Sequence, residues 1–305
     1  MKNKLLVKYS ASGIQLWAEF YIGPDGKNDE PTDIDIDDSG NIYICGRTLN
    51  TASNYDYLTL KYSNEDGQLL WAKNYNGPAA YTDEAEAIVV NINGSVYVTG
   101  TCTNLGAGSD DDDIMTIKYD TNGNILWSKS YSGSPDDKDV GVDIGIDSTG
   151  NVYVTGYSLT ASNYEDYVLI KYTNTGTQSW VKTYNGTGGD YDIPTKLFVD
   201  ENDNIYVTGY SYGGASGEDW ATLKYDVNGN LQWGKRYNGT TDGNDRPSSI
   251  AVDSAGGDYV AGYSDNFPNF NDMTTVKYNS AGTQLWINKF DGPISYNDEG
   301  VDVAV

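Results

Sequence analysis

The chain is 305 residues long and strongly acidic, with 44 Asp and Glu against 19 Lys and Arg, a formal net charge of −25, no histidine and two cysteines. A surface of that sign repels phosphate backbones, which argues against nucleic acid as a partner. The missing imidazoles exclude Ser-His-Asp and Cys-His chemistry and His-ligated metals, and no apolar run approaches the ~20 residues that span a bilayer as a helix.

Met1 to Val7 read as the start of a strand, not as a signal peptide, so either a leader has been removed or the chain is cytoplasmic. Residues 5–21 form a strand pair that introduces the governing motif: Lys8-Tyr9, then Gly13, then Trp17. It returns as Lys61-Tyr62…Gly67…Trp71, Lys118-Tyr119…Gly123…Trp127, Lys171-Tyr172…Gly176…Trp180, Lys224-Tyr225…Gly229…Trp233 and Lys277-Tyr278…Gly282…Trp286. Successive tyrosines stand 53, 57, 53, 53 and 53 residues apart, the mark of an array in which each unit buries its neighbour's apolar face. The chain is read as one domain of units 1–23 (partial), 24–77, 78–133, 134–186, 187–239, 240–292 and 293–305 (partial).

Each full unit predicts four short strands. The first is an apolar alternation, as in Ile34/Ile36, Ile88/Val90, Ile144/Ile146, Leu197/Val199, Ile250/Val252 and, last, Val301 to Val305. After an Asp/Asn/Gly turn comes a second strand around Tyr43, Tyr97, Tyr153, Tyr206 and Tyr259. The third ends in Lys-Tyr and the fourth carries the Trp. Period-two patterning bounded by turn residues argues an antiparallel meander, and no window shows the apolar stripe of a helix. Four-stranded units in series are the blades of a β-propeller. Six first, third and fourth strands are matched by only five second strands. The count therefore predicts an all-β, six-bladed propeller whose closing blade is formed from both termini and lacks one strand. Unpaired strand edges recruit other chains, so partner proteins or further copies of this chain are expected at that blade.

Blocks such as Gly150-Asn151-Val152-Tyr153-Val154-Thr155-Gly156 and Lys118-Tyr119-Asp120 resemble the bacterial beta-propeller repeat called SBBP, over nearly the whole chain. The resemblance implies a propeller and an extracellular or cell-surface location, that repeat being found in many such proteins. It implies no activity, since the family is defined by repeats and not by a catalytic motif. The turn before each Trp is also similar to the Asp box of sialidases and to the Trp-docking repeats of quinoprotein dehydrogenases. The Gly-to-Trp spacing here is four where the Asp box has three, and the adjacent-cysteine disulfide of the dehydrogenases is absent.

Cys45 and Cys102 fall in second strands of adjacent blades. Packed sheets lie ~10 Å apart, beyond the reach of a disulfide, so two small buried thiols are expected.

Aspartates recur at fixed places. One set enters the first strand (Asp29, Asp83, Asp139, Asp192, Asp245, Asp298) and another enters the third (Asp56, Asp113, Asp166, Asp219, Asp272). Both are expected at one end of the blades, where residues repeated in every unit serve the unit by accepting hydrogen bonds from loop N–H groups or pairing with lysines. Departures from the repeat are the better functional leads. Asp33, Asp35 and Asp37 alternate along one strand, and Asp110, Asp111 and Asp112 crowd one loop. Hard cations such as Ca²⁺ take six to eight oxygens, which makes these six the candidate metal ligands. The loops 47–56, 101–113, 157–166, 210–219 and 263–272 and the blade connections carry Tyr55, Tyr81, Tyr164, Tyr191, Tyr212, Phe267, Phe270 and Tyr296 among Asp and Asn. Aromatic platforms beside planar hydrogen-bonding groups suit glycans. The expected function is a non-enzymatic binding or scaffold module, with a calcium-assisted glycan-binding propeller as the sharper alternative and a carboxylate-based glycan-degrading enzyme as a third reading.

Overall fold

The structure is a computed structural model that describes residues 4–23, 26–52, 54–79, 81–103, 112–133, 138–159, 164–266, 270–293 and 296–305. It falls into two compact units, Met1–Ile144 and Gly145–Val305. The first opens with a two-stranded hairpin, β1 (Lys4–Tyr9) and β2 (Gln15–Tyr21), followed by two four-stranded sheets. One is β3 (Asp29–Ile36), β4 (Ile42–Leu49), β5 (Tyr55–Tyr62) and β6 (Leu69–Tyr75); the other is β7 (Asp83–Val90), β8 (Val96–Thr103), β9 (Asp112–Tyr119) and β10 (Ile125–Tyr131). The division between the units falls inside β11 (Asp139–Ile146), which heads a sheet completed by β12 (Val152–Leu159), β13 (Glu165–Tyr172) and β14 (Gln178–Tyr184). The second unit continues with β15 (Asp192–Val199), β16 (Ile205–Tyr212), β17 (Glu218–Tyr225) and β18 (Leu231–Tyr237), then β19 (Asp245–Val252), β20 (Asp258–Asp265), β21 (Asn271–Tyr278) and β22 (Gln284–Phe290). Among the described residues the only helical element is a three-residue 3₁₀ turn, Gly214–Ser216.

Every four-stranded sheet is a meander in sequence order, and the local chemistry sets its register. The turn from first to second strand is closed by an Asx side chain. Asp147 Oδ1 accepts from Thr149 and Asn151 N–H, while its Oδ2 takes the Asn151 amide and the Tyr153 hydroxyl. The glycine of the Val-Thr-Gly block has a steric cause: the first strand carries a bulge between its third and fifth residues and presses its backbone against the second strand. A Cβ on Gly100 or Gly209 would sit 2.1 or 2.2 Å from Glu84 O or Ile193 O.

The Lys-Tyr…Gly…Trp motif is the joint between successive sheets. Trp71 Nε1 donates to Thr121 O at 3.1 Å and Trp233 Nε1 to Ser280 O at 3.2 Å, each in the turn of the next sheet. Gly282 in that turn has φ +73 and lies under Trp233, where a Cβ would come within 2.7 Å of the ring. The lysine spans the same gap, with Lys171 Nζ donating to Val227 O at 3.0 Å. Second-strand tyrosines fill the space behind: Tyr43, Tyr97, Tyr153 and Tyr206 are wholly buried. Cys45 and Cys102 are free, buried thiols within one apolar cluster.

One expected strand is absent. Residues 297–305 belong to no sheet, so Val301 to Val305 do not form a sixth first strand among the described residues. Its counterparts all pair along a second strand, and among the described residues none is present to receive this one. Four bonds hold the segment to the preceding sheet instead: Asp298 N–H to Asn271 O at 2.8 Å, Asn271 N–H to Asn297 Oδ1 at 3.2 Å, Gly300 N–H to Gly262 O at 3.2 Å and Ser249 Oγ to Asp302 Oδ1 at 2.6 Å.

Candidate functional site

The six aspartates that enter the first strands do one job. Asp29, Asp83, Asp139, Asp192, Asp245 and Asp298 each accept the N–H of the glycine six residues earlier, at 2.6–3.0 Å, and so close the connection into their sheet. The second set is buried beside them. Asp56, Asp166 and Asp272 accept from the amides of Asn50, Asn185 and Asn266, and Asp219 pairs with Arg236 at 2.7 Å; Asp113 occupies the same repeat position.

Four of the six candidate cation ligands lie among the described residues, and each accepts hydrogen bonds there. Asp33 and Asp35 reach from β3 to the outer edge of β7, accepting Ile88 N–H at 2.9 Å and Val90 N–H at 2.7 Å. β7 is an edge strand with a row of N–H groups that no neighbouring strand pairs, and these carboxylates satisfy two of them. Burial pushes Asp35 upward, against the bonds from Val90 and Ile36. Asp37 caps the following turn and is held low by Asn41, Tyr43 and Ser39, although burial works the other way. Asp112 accepts the Thr103 hydroxyl at 2.8 Å, while Asp110 and Asp111 lie outside the described residues. Among the described residues no three Asp, Glu or Cys side chains converge as a metal centre.

The aromatic candidates sort into groups. Tyr81 and Tyr164 stand exposed, and Tyr296 packs against Phe270 at 5.6 Å between ring centres. Phe267 lies outside the described residues. Tyr55 lies beneath Arg47, 4.4 Å from ring centre to guanidinium, and Arg47 bridges Glu30 and Glu84.

Tyr191 and Tyr212 come together, 5.7 Å apart, in the richest constellation of the molecule. Tyr191 precedes β15, Tyr210 and Tyr212 end β16, Glu218 starts β17, and Arg246 is the second residue of β19. Glu218 is 2% exposed and bonded by Arg246 through Nε and Nη2 and by the Tyr191 hydroxyl at 2.6 Å. Burial raises its pKa, but the Arg246 bonds, the Tyr191 bond and the guanidinium charge outweigh it and hold the carboxylate low. The same bonds hold Arg246 charged, and burial with the Glu218 bond pushes the Tyr191 hydroxyl up. The Arg246 guanidinium stacks on Tyr210 at 4.4 Å, and its Nη1 has no bonding partner among the described residues. The result is a fixed, planar, charge-neutral hydrogen-bonding group set among tyrosine faces, a combination that presents orientation-specific donors beside apolar area.

Sequence reasoning did not single out Arg246, Glu218 or Arg47. The signal was in the column of residues that follow the first-set aspartates, Glu30, Glu84, Val140, Ile193, Arg246 and Glu299, where Arg246 is the only cation.

Segments 21–51, 129–165 and 182–214 match the SBBP beta-propeller repeat. No curated protein matches the sequence. Among solved structures it is similar to the quinohemoprotein alcohol dehydrogenase of Comamonas testosteroni, with TM-score 0.58 and 11% identity over 96% of this chain and 57% of that one. A Hadza microbial sialidase aligns with TM-score 0.53 and 11% identity over 89% of this chain and 60% of its own. The extracellular domains of Drosophila Semaphorin 1b align with TM-score 0.51 and 9% identity over 94% and 74%. This chain spans less than two thirds of the dehydrogenase and the sialidase. Together with the antiparallel four-stranded sheets, these likenesses identify a β-propeller.

Proposed function

We propose that this chain of SBBP beta-propeller repeats is a non-catalytic binding or scaffold module that works outside the cell or on its surface. The observation that carries the reading is the Arg246–Glu218 pair set among Tyr191, Tyr210 and Tyr212. It departs from the repeat at a place where the repeat does not need it, and it offers recognition chemistry without a nucleophile. Glu218 is committed to three hydrogen bonds and held low, which fits it to orient a ligand and not to shuttle protons. With a formal charge of −25 over the chain, anionic ligands are repelled, so the ligand class we assign is a neutral saccharide: ring faces on tyrosine, hydroxyls on Arg246 Nη1, which Glu218 holds in place. The extracellular placement rests on the SBBP resemblance.

Titration calorimetry against a panel of neutral oligosaccharides tests this. The chain is expected to bind at least one of them, to lose it by tenfold or more on Tyr191→Ala or Tyr212→Ala, and to keep it on Tyr164→Ala, whose ring is exposed elsewhere. Binding insensitive to Tyr191, or release of new reducing ends during incubation, would sink the proposal.

A further inference from the structure

The residue before a third strand and a residue of the connection that follows the same sheet differ from joint to joint: Asn54 with Tyr81, Tyr164 with Asp190, Gly217 with Gly243, Phe270 with Tyr296. Matching bonds show the last two to be the same joint, since Glu218 N–H donates to Asn244 Oδ1 and Asn271 N–H to Asn297 Oδ1, both at 3.2 Å. Where one has two glycines, the other has two aromatic rings, 5.6 Å apart, with Phe270 50% and Tyr296 65% exposed. The backbone is strained to hold the first ring. Phe270 has φ +68, the left-handed conformation that Gly217 adopts at φ +71 and that a bulky side chain opposes. Among the described residues only Asp203 also combines a side chain with that backbone. It stands in a turn where neighbouring sheets have Gly150 and Gly256, and it bonds the Ser148 amide and hydroxyl. A phenyl ring gains no such bond, and strain kept at an exposed position points to function.

The backbone under both rings is pinned. Asn266 N–H donates to Phe270 O at 3.1 Å, and Asp298 N–H to Asn271 O at 2.8 Å. The carboxylates there are committed, Asp272 to the Asn266 amide and Asp298 to Gly292 N–H. Asn297 is exposed, and its Oδ1 is taken by the N–H that follows Phe270, which leaves its Nδ2 as a donor beside the pair with no partner among the described residues. The Arg246 cluster is close by. Glu299 holds the repeat position of Arg246, and Tyr263 faces Arg246 in the register of β19 and β20. Burial pushes the Tyr263 hydroxyl up, Arg246 opposes, and Glu218 and Glu299 both add to the rise. We propose that Phe270 and Tyr296 form a second subsite for the neutral oligosaccharide that the Arg246 cluster orients, stacking a further sugar ring while Asn297 donates to its hydroxyls. Ring faces with an uncharged donor fit a sugar, and the acidic chain repels an anionic one. The proposal rests on the saccharide reading of the Arg246 cluster and adds to it a dependence on oligosaccharide length.

The probes are disaccharides and hexasaccharides of glucose and of N-acetylglucosamine, titrated calorimetrically into the intact chain. The longer sugar is expected to bind about fivefold more tightly than the shorter, the size of one ring-stacking contact. Phe270→Gly, which installs the residue of the preceding joint, and Tyr296→Ala are each expected to remove that gain and to leave the disaccharide bound as in the wild type. Glycine relieves the left-handed strain, so Phe270→Gly is expected to melt no lower than the wild type. A ring kept for packing would behave in the opposite way: the melting temperature would fall and hexasaccharide binding would stay, which overturns the proposal. Equal affinity for the two lengths, or a hexasaccharide that binds Tyr191→Ala weakly but both ring variants normally, overturns it and leaves the Arg246 reading in place. A wild-type chain that binds none of these sugars removes both readings together.

Discussion

Asp258 stands where the other second strands begin with Ile42, Val96, Val152 or Ile205, and it is fully buried with neither oxygen hydrogen-bonded to another side chain or backbone group. Burial pushes its carboxyl up to about 7; the backbone N–H and Lys224 pull the other way, and Asp253 adds to the rise. An unfolded Asp titrates near 3.9, so between about pH 4 and pH 7 the folded chain holds a proton that the unfolded chain has released. Stability therefore falls as pH rises through that window, and the full penalty, a few kcal/mol at ~1.4 per unit of displacement, is present above it. Asp258→Val restores the residue type of the other sheets. Thermal melts should show it raising the melting temperature near pH 8 clearly more than at about pH 4. Equal gains at both would mean that Asp258 finds a partner when ionised.

At the scale of elements, the joint between sheets permits a comparison in which one substitution serves as control for another. Gly282 and Gly13 occupy the same motif position with φ +73 and +80. Alanine at either bears left-handed backbone strain of about 1–2 kcal/mol. Only at Gly282 does the new Cβ also strike a neighbour, the Trp233 ring at 2.7 Å; at Gly13 nothing lies within 4 Å. Gly282→Ala should therefore cost roughly 1–3 kcal/mol more than Gly13→Ala in urea denaturation, as overpacking does. The motif that contains these glycines was legible because a repeat exposes its own constraints: a residue needed at every joint recurs at every joint. Strand order and turn chemistry were legible for the same reason. What stayed hidden was what the repeat does not constrain. Asp33 and Asp35 read as a cation site because alternation places them on one face, while the N–H groups of β7 that they satisfy are 55 residues away in sequence. The Arg246 cluster joins four strand ends that no local pattern relates, and Val301 to Val305 keep the pattern of a first strand without the partner that makes one.

Over the whole molecule, two classes of carboxylate pull stability in opposite directions with pH. The first is pushed up by burial: Asp56, Asp83, Asp192 and Asp245, the last three also lifted by the charge of a second-set aspartate, together with Asp35 and Asp258. Groups raised above their unfolded values favour folding at acid pH, and that contribution disappears as pH rises through their folded pKa. The second class sits in Asx turns or ion pairs and is held low: Asp37, Asp147, Asp226, Asp253 and Glu218. Their contribution is present above the unfolded carboxylate pKa and is lost as pH falls through the depressed value. Stability should thus peak on the acid side of neutrality, at about pH 5, and decline toward about pH 8. The surface excess of 25 negative charges steepens the decline, and this part alone is removed by salt, since the Debye length falls to ~3 Å at 1 M while buried pairs are screened much less. Urea midpoints measured across that range at low and at molar salt would separate the two: salt should flatten the slope without abolishing it. A midpoint that rises steadily from pH 5 to pH 8 would mean that the buried aspartates are stabilised as anions, and the structural role assigned to their glycine N–H bonds would then include holding charge.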